Sequence, residues 1–210
     1  GSRPVEDETI IDAASEAAAM LFQVPKTGNI DRISFRVGTH TTAATLDVRL
    51  ETVGADGLPS GTLAGTTTSG VQLTSAADTT HTVTLTLAAA VTRGTFLAAK
   101  VAQPAAGAGS CGIRFWKAGT SGMSVARHRL CQALEFVGGA WTSRGGAAVG
   151  LRFPSMAVRY DDAAWYYIPG SMPISASART AFNSSTNPNQ RGTKITLPFP
   201  CTVTGFFFQG

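Results

Sequence analysis

Residues 29–37 read N-I-D-R-I-S-F-R-V. Ile33, Phe35 and Val37 fall on one parity, and Arg32, Ser34 and Arg36 on the other. Successive side chains of a strand point to opposite faces, so this is the signature of a strand with one face in a core and the other in water. Residues 45–53 repeat it, with Leu46, Val48 and Leu50 against Asp47, Arg49 and Glu51. Residues 80–87 do so a third time as T-H-T-V-T-L-T-L, placing Val83, Leu85 and Leu87 inward and the threonines and His81 outward. Threonine is a favoured strand residue, so the threonine-rich face calls for no special function.

Turn chemistry separates these stretches. Asp56-Gly57 and Pro59-Ser60-Gly61 supply turns between the second strand and the next. Residues 91–95 break the third strand, and a new one starts over 96–101, with shorter ones after it at 112–116, 130–137, 148–153 and 155–160. Residues 10–21 are alanine-rich and helix-favouring by propensity, although their continuation through 21–25 reads as strand. Many short strands with Gly and Pro turns and no alternating helices argue for an all-β antiparallel sandwich over any parallel-sheet fold.

The organisation expected is an N-terminal segment over 1–18, a sandwich over 19–160, a linker over 161–191, and the opening strands of a second sandwich over 192–210. The linker is assigned from its turn formers, little periodicity and the polar run at 183–189. The second sandwich is assigned from an echo: with Pro25 set against Pro198, Ile30 meets Val203, Ile33 meets Phe206 and Phe35 meets Phe208. Each copy reads as a strand, a proline break and an inward-alternating strand. On this reading the chain stops soon after a second sandwich begins, and the opening Gly1-Ser2 is a cloning scar.

Composition bounds the function. The chain has 210 residues, 43% of them hydrophobic, which suits one sizeable core. Only 14% are charged, against about 25% in an average soluble domain. No apolar run approaches the ~20 residues of a membrane-spanning helix. The net charge is +4, and 13 of the 17 basic residues are Arg, falling singly on alternating positions except at Arg127-His128-Arg129. A nucleic-acid binder gathers its basic residues into a stripe, so this dispersal argues against nucleic acid.

Candidate chemistry is sparse. Cys111, Cys131 and Cys201 form no short-spaced ligand pair; Cys111 and Cys131 are bridged if their strands adjoin, or else are buried free thiols. His128, Cys131 and Cys111 lack a fourth ligand for structural zinc, so no metal is expected. Residues 107–112 satisfy G-x-G-x-x-G, but Ile113-Arg114-Phe115-Trp116 directly behind them reads as strand, and without a helix N-terminus the motif holds no pyrophosphate. Asp161-Asp162 are adjacent, so on a strand they face opposite ways and share no substrate; a solvated turn, or failing that a calcium site, is the better reading. His40, His81 and His128 stand in no catalytic spacing. No catalytic residue and no cofactor are assigned. Ligand binding falls instead to aromatic platforms that stack on sugar rings: Trp116 and Trp141 beside Gly-rich loops, then Trp165, Tyr166 and Tyr167.

Residues 18–39 (A-A-M-L-F-Q-V-P-K-T-G-N-I-D-R-I-S-F-R-V-G-T), 45–63 (T-L-D-V-R-L-E-T-V-G-A-D-G-L-P-S-G-T-L), 87–94 (L-A-A-A-V-T-R-G), 166–170 (Y-Y-I-P-G) and 197–201 (L-P-F-P-C) carry a resemblance. The chain resembles a group of phage and prophage virion-type proteins with tandem jelly-roll sandwiches of the carbohydrate-binding kind. The resemblance implies a jelly-roll sandwich in a non-enzymatic virion structural protein, of tail fibre, spike or head-decoration type. Its implied partners are other virion subunits, identical copies in the closed symmetry usual for such assemblies, and a host surface glycan. The alternative is a carbohydrate-binding module of a secreted, extracellular bacterial protein. Residues 119–144 depart most from the group.

Overall fold

The computed structural model describes residues 5–65, 68–72, 77–104, 109–117, 131–143 and 152–167. Among them are fourteen strands in two sheets of seven, every pairing antiparallel, and no helix, hence none long and apolar enough to cross a membrane. The first sheet holds β1 (Val5–Ile11), β3 (Gly28–Thr42), β7 (Thr80–Val91), β9 (Ser110–Lys117), β12 (Arg152–Pro154), β13 (Met156–Tyr160) and β14 (Trp165–Tyr167). The second holds β2 (Ala17–Gln23), β4 (Thr45–Val53), β5 (Pro59–Leu63), β6 (Thr68–Gln72), β8 (Phe96–Ala102), β10 (Cys131–Val137) and β11 (Ala140–Ser143).

One apolar core lies between the sheets. Ile33, Phe35 and Val37 of β3, Val83 and Leu85 of β7, and Ile113 and Phe115 of β9 meet Met20 and Phe22 of β2, Leu46, Val48 and Leu50 of β4, and Val101 of β8. In β3, β4 and β7 these are the parities that the sequence assigns inward. Burying each such side chain is worth about 1.5–3 kcal/mol, which makes this layer the main stabilising term. The all-β antiparallel sandwich is therefore the architecture of the described residues.

β3 is long enough to have several partners. Its first part pairs with β7 on one edge and β13 on the other, and its last part pairs with β9. Where β3 and β9 part, β12 runs along β9 and β13 along β3, and at the apex Ser155 N–H donates to the Arg114 carbonyl at 3.3 Å.

Several expectations are corrected. The alanine-rich stretch is not helical: residues 17–23 are β2, held between β10 and β8. The small side chains fit a central strand buried on both faces, and tertiary packing overrides the propensity of alanine. The N-terminal segment supplies β1, which pairs with β9 over its whole length. The segment read as linker begins with a turn and then β14, which pairs with β13. His81 shares the inward parity of Val83 and stacks on Phe35 with ring centroids 5.9 Å apart, in place of the outward position expected. The rest of the linker, the second sandwich and the Pro198 half of the echo lie outside the described residues.

Candidate functional site

The outer face of the second sheet carries the site. Its rows are set by register. Trp141 of β11 lies opposite Phe136 of β10, then come Ala17 of β2, Ala102 of β8 and Asp47 of β4. In the next row Leu134, Ala19, Lys100 and Arg49 stand side by side. Alanines in the central strands keep the floor low between an aromatic rim and a charged strand. A groove of about 430 Å³ results, bounded by Trp141 and Phe136 on one side and by Pro59, Ser60 and Gly61 on the other. Ser15, Gln103 and Pro104 line it as well.

Trp141 is placed by the β10–β11 turn. Gly138 and Gly139 both have positive φ, 64° and 85°, the requirement of the two-residue hairpin turn whose twist suits antiparallel strands. The half-buried indole packs on Phe136 with centroids 5.2 Å apart, and the Lys100 ammonium lies 5.5 Å from the indole centroid. Beneath Trp141 a small apolar cluster of Ala19, Leu21, Ala98 and Leu134 is closed over with Val53 and Leu58.

The polar half is a fixed network. Glu51 has no exposure to water, and its carboxylate accepts from Lys100 Nζ at 3.0 Å and from the Gly61 N–H at 3.1 Å. Arg49 Nε stands 3.8 Å from the same carboxylate, and Arg49 Nη2 donates to Asp47 at 3.1 Å. Two cations and two anions thus hold each other in place. Gln103 is also buried; its Nε2 donates to the Gly109 carbonyl at 3.3 Å, while its Oε1 and Arg49 Nε lack hydrogen-bond partners.

The other sequence candidates lie elsewhere. Tyr166 packs into the core against Phe22, centroids 6.3 Å apart, and Trp165 precedes it on β14 in the first sheet. Trp116 lies on β9 and Tyr167 on β14, but their side chains fall outside the described residues. The described aromatics therefore do not form one platform, and of the candidates whose side chains are described Trp141 alone adjoins the groove. Sequence reasoning passed over Lys100, Arg49, Asp47, Glu51 and Gln103. The available signal was Lys100, the one charge in the otherwise apolar strand 96–102.

The remaining motifs resolve locally. Residues 105–108 are outside the described set, and the rest of the G-x-G-x-x-G run passes into β9, with no helix behind it. Asp161 accepts from Asn29 at 2.8 Å and Asp162 from Lys26, both in the turn before β14. The Lys26 hydrogen bond holds the Asp162 carboxyl below the usual carboxylate range. The Cys111 thiol is free, and burial pushes it up to about 12, with the Glu8 charge adding to the shift. Burial and then the His40 charge hold His81 below its ordinary 6.5. Side chains of Cys131, His128 and Cys201 lie outside the described residues. Among the described residues no three His, Cys, Asp or Glu side chains gather as metal ligands.

Searches of family models, of curated proteins and of solved structures find no match to this chain.

Proposed function

We propose that the protein is a non-enzymatic structural protein of a phage virion, of tail fibre, spike or head-decoration type, that touches host glycan through the Trp141 groove. The sequence resemblance supplies the virion half of this reading. The glycan half rests on one observation: a half-exposed indole at the rim of an open groove whose floor carries hydrogen-bonding groups locked by a buried carboxylate. Aromatic faces stack on the apolar faces of sugar rings while fixed polar groups take the hydroxyls. A rigid sandwich spends little entropy in presenting both.

The second reading, a carbohydrate-binding module of a secreted protein, is favoured by the groove being complete within one chain. Absolute mass by light scattering separates the two. The virion reading expects a closed oligomer, in this chain or in a longer one extended past Gly210. Monomers in both, with glycan binding retained, favour the module.

A further inference from the structure

The groove's own hydrogen-bonding inventory narrows the ligand, on the premise that the glycan reading is right. Its charges cancel, with Arg49 and Lys100 set against Asp47 and Glu51. An acidic sugar brought to Arg49 meets Asp47, already on the same guanidinium at 3.1 Å, and a cationic one meets Lys100 beside the indole. Among the described residues two buried side-chain atoms of the groove lining make no hydrogen bond, and they are of opposite kind. Arg49 Nε–H makes no hydrogen bond, its ion-pair partner Glu51 standing 3.8 Å away, and Gln103 Oε1 is an acceptor without a hydrogen-bond donor. Gln103 lines the groove although it is only 2% exposed. Leaving a buried polar atom unpaired is costly, and the cost is recovered when a ligand supplies the partner. A carboxylate or sulfate only accepts, and an ammonium only donates. A hydroxyl does both.

We infer that the groove takes an uncharged, hydroxyl-rich sugar ring, stacked on Trp141, with hydroxyls accepting from Arg49 and donating to Gln103 after a small rotation of its amide. Acidic and amino sugars are discriminated against by the paired charges already in place. Specificity of this kind comes from leaving the wrong ligand with an unpaired or repelled group.

The test is native-gel retardation of the chain in gels cast with neutral polysaccharides (dextran, mannan, galactan), acidic ones (polygalacturonate, hyaluronan) and the amino polymer chitosan, at about 50 and about 500 mM NaCl, chosen to bracket the screening of surface charge. At least one neutral polymer is expected to retard the chain equally at both salt levels. Trp141→Ala should abolish the shift, and Gln103→Leu should weaken it by about 2- to 10-fold, the range of one hydrogen bond. Circular dichroism checks the fold of both variants, and the wild-type panel stands without them. Retardation by acidic or amino polymers alone, kept at both salt levels and lost in Trp141→Ala, overturns the neutral assignment and leaves the glycan reading intact; retardation that salt abolishes is charge attraction and counts as none. No retardation by any polymer overturns the glycan reading and this inference with it.

Discussion

Glu51 shows how a single residue can hold a surface in shape. Its carboxylate is out of water, and an unpaired buried anion is strongly unfavourable, so Lys100, Arg49 and the Gly61 N–H are drawn around it. Glu51→Ala leaves two cations side by side. Removing one partner of a fully buried pair costs about 3–5 kcal/mol; with the Lys100 and Arg49 side chains 17% and 26% exposed, water recovers part of that. The expected loss is about 2–3 kcal/mol by urea unfolding. The double variant Glu51→Leu with Lys100→Met should lose less than Glu51→Ala, because apolar groups then pack where charges did. Two other residues contribute to the pH range. His81 is held below 6.5, so the unfolded chain binds its proton more readily, and stability falls as pH drops below that value. Cys111 is raised from 9.0 to about 12, so its contribution is whole below pH 9.0 and drains away as pH rises toward 12. A thermal-melt series should show a plateau between these limits. His81→Asn should make the acid side shallower and Cys111→Ala the alkaline side, where Tyr160, raised by burial, keeps part of the fall.

At the scale of elements, the strands with one wet face were legible in the sequence, as was β8, whereas most of β2, buried on both faces, was not. β3 and β4 alternate because water and core select opposite residue types at successive positions, and their inward residues are those of the observed core. β2 has no wet face to write a polar parity, so its run of alanines looks like helix until β8 and β10 flank it. The site was legible for the same reason only at its rim. Trp141 beside two glycines stands out, whereas Asp47, Arg49 and Glu51 have the pattern of any solvated strand face; that Glu51 is sealed depends on Lys100, 49 residues away in sequence. The β10–β11 turn ties element to site. Gly139→Val puts a β-branched residue at φ 85°, a conformation that costs such a side chain about 1–2 kcal/mol. Gly138→Asn, at φ 64°, should be close to neutral because Asn tolerates the left-handed region. The expected outcome is a lower melting temperature for Gly139→Val alone, with weaker quenching of Trp141 fluorescence by any glycan that the wild type binds.

At the scale of the molecule, the sandwich depends on an edge that the sequence does not advertise. Among the described residues β1 pairs only with β9, yet it is fastened beyond its ladder: the Glu8 carboxylate accepts from the Thr39 N–H at 2.8 Å and from the Thr39 hydroxyl. At Gly38 and Gly112 a Cβ would overlap the Glu8 carboxylate, so the two glycines make its berth. Ile11 closes the end of the core, and Thr9 Oγ1 reaches Glu135 of the facing sheet at 3.3 Å. Removing residues 1–11 would therefore uncover the β9 edge, open the end of the core and leave a row of backbone donors and acceptors facing solvent. Such an edge recruits another strand. The shortened chain is expected to show a higher mass by light scattering than the intact one at the same concentration. A synthetic peptide of residues 1–12 should bring the mass back, because it restores the ladder and the Glu8 berth together. The same peptide with Glu8→Ala should restore it less well. A shortened chain of unchanged mass and melting temperature would show that β9 needs no cover and that β1 is an accessory to the fold.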